Sequence, residues 1–431
     1  MLKKIGVLIM LILAFCLGCS AYYNNESSYD KDSTDKSKEE VKQEDNNSED
    51  NSSDKNNNED NSSGLNPSEE IDPIKEKIKE MSLEEKIGQL VIVGFEGQSI
   101  DEETEKMIKE YYVGGVILFK RNVNDAGQLL TLINTLKRLN EDKIPLFISV
   151  DEEGGLVSRM PAELINLPDS KSVGEKNDKD YSYKIGKIIA REIKAFGFNM
   201  NFAPVLDINS NPNNPVIGPR AFGADVITVK EQGLAVMEGM QSEGIISVVK
   251  HFPGHGDTQV DSHLNLPLIE KDLEEMKQFE LVPFIEAINN GCDAVMIAHI
   301  LFDKVDSQNP ASLSQVIIGD ILRNQFGFQG LVITDDLTMG AIADHYEMGE
   351  AAVKAINAGA DIVLVCHGYN NEIKVLERIK KAVVEGEISG QRLDESLYRI
   401  LSMKMKYNIN NEEIPSVDID AINQEIRSLI N

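Results

Sequence analysis

Beyond Asp72 the chain alternates short, almost wholly apolar runs with longer segments whose apolar residues recur every three or four positions. The first pattern predicts strands buried on both faces, and the second predicts helices that cover them. The strand runs span 89–95, 114–119, 145–150, 201–208, 247–250 and onward, 294–300, 330–334 and 361–366, and helical periodicity covers 129–139, 181–196, 229–242, 273–289 and 348–358 between them. Strands alternating with helices form parallel sheets, and eight of them predict an α/β fold of the (β/α)8 TIM-barrel type. Periodicity alone leaves a doubly wound open sheet as the alternative.

The first 72 residues follow a different pattern. Residues 1–18 carry Lys3 and Lys4 and then an apolar run at 5–17, the form of an export signal and too short for a good membrane span. The run ends in Leu17-Gly18-Cys19-Ser20, which resembles a bacterial lipobox with Cys16 where a Leu is usual. The expectation is a lipidated Cys19 at the mature N-terminus, anchoring an exported protein to the outer face of the cell membrane. A plain secretory cut near Ala21 is the alternative. Residues 19–72 are too polar to offset the entropy of ordering and are read as a disordered acidic tether. The barrel is expected over 73–408, followed by a tail with a short helix at 409–431.

Composition narrows the function. The formal charge is −29, of which the tether's 16 acids and 5 lysines contribute −11, and no basic stripe occurs, which argues against nucleic acid as a partner. Hydrophobic residues make up 41%, enough for a large core. Outside the signal only Cys292 and Cys366 remain, both read as small core residues, so neither a disulfide framework nor a zinc spacing is present in the sequence.

In a barrel of this type the active site lies at the C-terminal ends of the strands. Five of the eight runs end in ionisable groups: Asp151-Glu152-Glu153, Asp207, the stretch 250–263, His299, and Asp335-Asp336. A single Asp after a strand is often a helix cap, whereas five converging ends are not explained that way. The stretch 250–263 holds three of the six histidines, and in Asp261-Ser262-His263 the Asp can accept an imidazole N–H and fix its tautomer. Neighbouring side chains of a strand point to opposite sides, so one of Asp335 and Asp336 faces the axis and the other is read as a cap for the next helix. A carboxylate nucleophile paired with a general acid is the chemistry of retaining glycoside hydrolysis.

Together Lys250-His251-Phe252-Pro253-Gly254-His255-Gly256-Asp257, Asp261-Ser262-His263, Ile333-Thr334-Asp335-Asp336-Leu337 and Asp151-Glu152-Glu153-Gly154-Gly155 resemble the β-N-acetylglucosaminidases of glycoside hydrolase family 3. The stretch Asn214-Pro215-Val216-Ile217-Gly218-Pro219-Arg220-Ala221-Phe222-Gly223 belongs to the same resemblance. It implies a barrel in which Asp335 is the nucleophile, His263 the general acid/base and Asp261 its partner. It further implies that Asp151, Arg159, Arg220, Lys250 and His251 bind the sugar, with no metal or cofactor. The implied substrate is a terminal, non-reducing β-linked N-acetylglucosamine on peptidoglycan-derived muropeptides or glycan fragments, and a monomer is expected. Leu156, where relatives commonly have Arg, and Pro219 beside Arg220 depart from the family pattern.

Three rivals stand beside this reading. One is a phosphorolytic version of the same reaction, one is a metal-dependent barrel hydrolase using His251, His255 and His263, and one is a lipoprotein that captures muropeptides without cleaving them. His299 is read as a satisfied core residue or part of the pocket floor, and His345 and His367 as helix or loop residues without a role.

Overall fold

A computed structural model describes residues 72–430, so the export signal, Cys19 and the tether up to residue 71 lie outside the described residues. Eight strands form the centre: β1 (Val91–Val93), β2 (Gly115–Leu118), β3 (Phe147–Val150), β4 (Met200–Asn201), β5 (Ile246–Phe252), β6 (Ala294–Ile297), β7 (Leu331–Asp336) and β8 (Ile362–Val365). Each pairs in parallel with the next, and β8 returns to pair with β1. The closed ring is the expected (β/α)8 barrel; an open doubly wound sheet would leave β1 and β8 as unpaired edges. Strands β2, β3, β6 and β8 are buried along their whole length, because the barrel interior covers one face and the helices the other.

The ladder of β4 is much shorter than its apolar run. After Asn201 only a single bridge joins Val205 to Lys250, since Pro204 brings no N–H to a ladder. The segment 273–289 is likewise two helices, Leu273–Gln278 and Val282–Asn289, where the periodicity suggests one. In a continuous helix the ring of Pro283 would meet the carbonyl of Phe279, and the break falls there. Three other helices, Ala126–Leu139, Lys179–Phe196 and Val226–Ser242, begin two or three residues before their apolar pattern, at an Asp that caps the first turn, whereas Met348–Ala358 has the expected bounds. Asp125 accepts the Gln128 N–H at 2.9 Å and Asp225 that of Thr228 at 2.9 Å. Helices Lys179–Phe196 and Val226–Ser242 cross so closely that a Cβ on Gly186 would stand 2.2 Å from the Val236 carbonyl oxygen. A final helix, Ile419–Ile430, lies against Lys179–Phe196 and is tied to it by an Arg191–Glu425 ion pair.

Two irregularities of register prepare the site. Between Val249 and Phe252, β5 carries one residue more than the facing part of β6, and between Ile333 and Asp336, β7 carries one more than β8. Such bulges re-aim side chains at a barrel rim. They fall on Lys250-His251 and on Thr334-Asp335, the polar ends of those two strands.

At the opposite end of the barrel Asp361 acts as a lock. Its carboxylate, fully buried, accepts from the Val332 N–H at 3.0 Å, Ser396 Oγ at 3.0 Å, Arg323 at 2.5 Å, and Arg392 and Arg399 at 3.1 Å each. Burial would raise this carboxyl, but the three guanidiniums outweigh it and hold the group below its ordinary range. Asp361→Ala removes the shared counterion of three mostly buried arginines, leaving Arg323 and Arg392 with backbone carbonyl partners such as Gly330 and Ala360, so urea unfolding is expected to show a loss of about 3–5 kcal/mol. A loss below about 1 kcal/mol would show that the arginines find water or other partners instead.

Candidate active site

The loop after β3 sorts its three acids by direction. Asp151 and Glu153 turn toward the strand ends, whereas Glu152 turns outward, its Oε2 accepting the Arg159 N–H at 2.7 Å. Gly154 and Gly155, at φ +82° and +57°, make the tight reversal that brings Val157 back to pair with Gly154. All eight barrel residues nominated from the sequence, Asp151, Arg159, Arg220, Lys250, His251, Asp261, His263 and Asp335, line one cleft of about 600 Å³ at this end of the barrel. A larger cavity, about 820 Å³, sits at the other end beside Gly330 and Leu331, away from every polar strand end.

Lys250 organises one wall. Its ammonium, 2% exposed, lies 2.6 Å from Asp151 Oδ1 and 2.7 Å from Glu153 Oε1, and Arg220 grips the same Glu153 through two bonds of 2.9 and 2.8 Å. Burial would raise the Glu153 carboxyl, yet Arg220 and Lys250 hold it far below its ordinary value. Glu153 was not among the nominated residues. It is the buried counterion shared by the two cations, Arg220 and Lys250, and its only signal in the sequence was membership of an acidic triplet at a strand end. Arg159 lines the same cleft, and its Nε is buried without a partner among the described residues.

His251 is aimed by a second acid outside the nominated set. Asp207, fully buried, lies 2.6 Å from His251 Nδ1 and accepts the His255 N–H at 2.7 Å. Because a carboxylate only accepts, Nδ1 carries the proton and Nε2 is the nitrogen left for the cleft. Both ring nitrogens of His255 are engaged, Nε2 at 3.0 Å from Ser262 Oγ and Nδ1 at 2.8 Å from Thr258 Oγ1. Burial pushes this ring down to about 4, so it stays neutral, and its occupied nitrogens do not suit a metal ligand.

The two carboxylates at the end of β7 differ sharply. Among the described residues Asp335 accepts a single hydrogen bond, from the Asp336 N–H at 2.9 Å, which leaves its other oxygen without a partner in the cleft. Burial would raise its carboxyl, but His299, His251 and that N–H hold it below the ordinary range. Asp336 has both oxygens occupied, by the Thr338 N–H at 3.0 Å, the Thr338 hydroxyl at 2.5 Å and the Cys366 N–H at 3.0 Å. The expectation that it caps the next helix is corrected. Gly340–Ala343 begins at Met339 without a side-chain cap, and Asp336 instead fastens the end of β7 to the end of β8.

His299 is a satisfied core residue, held between Ser312 Oγ at 2.7 Å and the Asp336 carbonyl oxygen at 2.9 Å. His367, expected to be a loop residue without a role, lines the cleft. Its ring stacks on Phe119 at 5.4 Å and its Nε2 stands 3.8 Å from Asp336. At the cleft mouth His263 Nδ1 lies 2.8 Å from Asp261 Oδ1, and the imidazole is 62% exposed. Burial would raise the Asp261 carboxyl, but the backbone N–H and ring of His263 lower it on balance. The loop is tied toward β7, because Gly340 and Ala341 donate to the His263 and Ser262 carbonyl oxygens at 3.2 and 3.1 Å. Leu156 stands 79% exposed at the lip.

A carboxylate with a free oxygen, a carboxylate–histidine pair and a wall of hydroxyl-binding groups now share one cleft. The glycosyl hydrolase family 3 N-terminal domain matches residues 82–403. The chain belongs to glycosyl hydrolase family 3. Membership makes it a glycoside hydrolase. It is 35% identical over 333 residues to beta-hexosaminidase A of Pseudoalteromonas piscicida, covering 72% of this chain but only 56% of that one. A beta-hexosaminidase of Nitrosomonas eutropha is 35% identical over 290 residues, 66% of this chain and 82% of the relative. Among solved structures, a family 3 beta-N-acetylglucosaminidase from Paenibacillus sp. superposes with a TM-score of 0.78 at 40% identity, covering 81% of this chain and 68% of that one. NagZ from Neisseria gonorrhoeae, solved with N-trifluoroacetyl-D-glucosamine, gives 0.66 at 30% identity, covering 79% of this chain and 98% of that one.

Behind the cleft of this family 3 barrel, Glu152 meets Glu192 of helix Lys179–Phe196 across a cavity of about 300 Å³. Burial raises Glu152 from 4.5 to about 7, and burial with the charge of Glu152 raises Glu192 well above 4.5. The folded protein therefore binds protons that the unfolded chain has released, and stability falls as pH climbs from 4.5 toward 7. Glu192→Gln is expected to gain about 1–3 kcal/mol over the wild type across that window, read from melting curves at each pH. A difference that stays constant with pH would mean that the Glu192 carboxyl is not raised in the folded protein.

Proposed function

We propose that the chain is a retaining β-N-acetylglucosaminidase that removes terminal β-linked N-acetylglucosamine from peptidoglycan-derived glycans. The observation that carries this reading is the single-bonded carboxylate of Asp335 in the same cleft as the Asp261–His263 pair. The names of the relatives and solved neighbours support the choice of sugar.

In the first step the free oxygen of Asp335 attacks the anomeric carbon and the C1–O bond to the leaving sugar breaks. The leaving oxygen takes a proton from His263 Nε2. The products are a glycosyl ester on Asp335 and a neutral imidazole. In the second step that imidazole takes a proton from water, the oxygen attacks C1, and Asp335 is released as carboxylate. Asp261 holds the Nδ1 proton throughout and steadies the imidazolium. Asp151, Arg159, Arg220, Lys250 and His251 are the groups proposed to hold the ring hydroxyls and the N-acetyl group. In the whole protein, a lipid on Cys19 and the acidic tether keep this barrel at the outer face of the cell membrane.

Asp335→Ala is expected to abolish turnover of a chromogenic β-N-acetylglucosaminide with the fold intact, and Asp336→Ala to cost far less. The reverse order would move the nucleophile to Asp336. His263→Ala should lose kcat/KM strongly on a natural disaccharide but little on a phenolic substrate, where the glycosyl-enzyme accumulates and azide speeds its release. Adding phosphate separates hydrolysis from phosphorolysis, since only the latter yields the sugar 1-phosphate. Equal losses on every leaving group, together with inhibition of the wild type by a chelator, would favour the metal-dependent reading.

The anchor has its own test. Cys19→Ser is expected to release the protein from the membrane fraction, and a chain beginning at Pro73 to keep its turnover number on a soluble substrate. Full membrane retention of Cys19→Ser would refute the lipid anchor.

A further inference from the structure

The segment that carries Asp261 and His263 leaves the barrel after Gly256 and returns only where Leu268–Ile269 pairs with Leu301–Phe302. Its departure point is rigid. A Cβ on Gly256 would stand 1.7 Å from the Ile208 carbonyl oxygen, and one on Gly254 would stand 2.9 Å from Glu280 Cβ. The residues that follow are less confined, with Val260 39%, Leu264 75% and Leu268 53% exposed.

The two ends of this excursion meet at one side chain. Lys271 Nζ, just past the returning strand, lies 2.7 Å from Asp257 Oδ2 at the start of the loop and 2.5 Å from Glu280 Oε1. Glu280 is 3% exposed, its other oxygen is buried without a partner among the described residues, and it sits at the break ahead of helix Val282–Asn289. Its negative charge is therefore compensated by Lys271 and by no other described hydrogen bond. An ion pair with one end in the protein body and the other on the loop closes the neck of the loop.

We infer that Lys271 is a positioning residue, clamping Asp257 to Glu280 and so holding the loop that presents His263 over the Asp335 cleft. The inference rests on the proposed role of His263 as acid/base. The other ties of the loop are those of Thr258, to Asn211 at 3.1 Å, Asn214 at 3.2 Å and His255 at 2.8 Å, the Ser262–His255 contact at 3.0 Å, and the two backbone bonds from Gly340 and Ala341, the last three close to the dyad itself. The bonds of Thr258 hold one side of the neck and those at Ser262 and His263 hold the dyad, so Lys271 supplies the tie between the loop's two ends, and a displacement of about 1 Å in a catalytic group can cost about a hundredfold.

The test compares Lys271→Met, Lys271→Arg, Asp257→Asn and His263→Ala in the full chain, on a disaccharide and on a phenolic glycoside. Lys271→Met is expected to lower kcat/KM on the disaccharide roughly ten- to a hundredfold and on the phenolic substrate less than about threefold. Lys271→Arg should restore most of the loss. Asp257→Asn, which opens the same pair from the loop side with little change in volume, should repeat the pattern if Lys271→Met folds poorly. A loss equal on both substrates, or no loss in either clamp variant while His263→Ala keeps its leaving-group dependence, would overturn the clamp. If His263→Ala itself shows no leaving-group dependence, the acid/base reading fails first, and the clamp with it.

Discussion

A buried ammonium sets the terms for the cleft. Lys250 comes from the bulged end of β5, and its charge is tolerable at 2% exposure only because Asp151 and Glu153 from the end of β3 meet it within 2.7 Å. Desolvating such a group costs several kcal/mol unless both geometry and charge are satisfied. The partners are therefore not free to move: Glu153 is fixed a second time by Arg220, and the loop behind them is pinned through Glu152 and Arg159. This wall of the cleft is thus preorganised by electrostatics internal to the protein.

The same logic distinguishes the carboxylates. Those with structural duties are saturated: Asp207 by two histidines, Asp336 by Thr338 and Cys366, and Asp361 by three arginines. Asp335 stands apart with one hydrogen bond and an oxygen facing the cleft. A saturated carboxylate is stabilised as it is and gains little by attacking carbon. An undersatisfied one, kept ionised by neighbouring rings, is the better nucleophile. The Asp261–His263 pair is held differently, on an exposed loop above the barrel rim.

How far the sequence reached can be judged residue by residue. The strand runs were legible because a parallel barrel strand must be apolar on both faces, and the polar punctuation at their ends marked the active rim. Asp335 and the Asp261–His263 pair stood out through their position and spacing, and the structure puts them in one cleft. Glu153 and Asp207 were legible only as polar strand ends and not as counterions, because a buried counterion has no local signature; its partner lies 67 residues away for Glu153 and Arg220, and 44 for Asp207 and His251. His367 lies in a loop as expected, and nothing beside it in the chain places it next to Phe119 and Asp336.

By itself the sequence determined the alternation of strand and helix and which strands end in chemistry. Both depend on side chains within a few positions of each other. Only the tertiary structure decided which of two adjacent aspartates keeps a free oxygen, which acids neutralise Lys250, and that Lys271 closes the loop of His263. Those outcomes are set by one-residue bulges and by pairings across the barrel, where a shift of a single position exchanges the inward and outward faces.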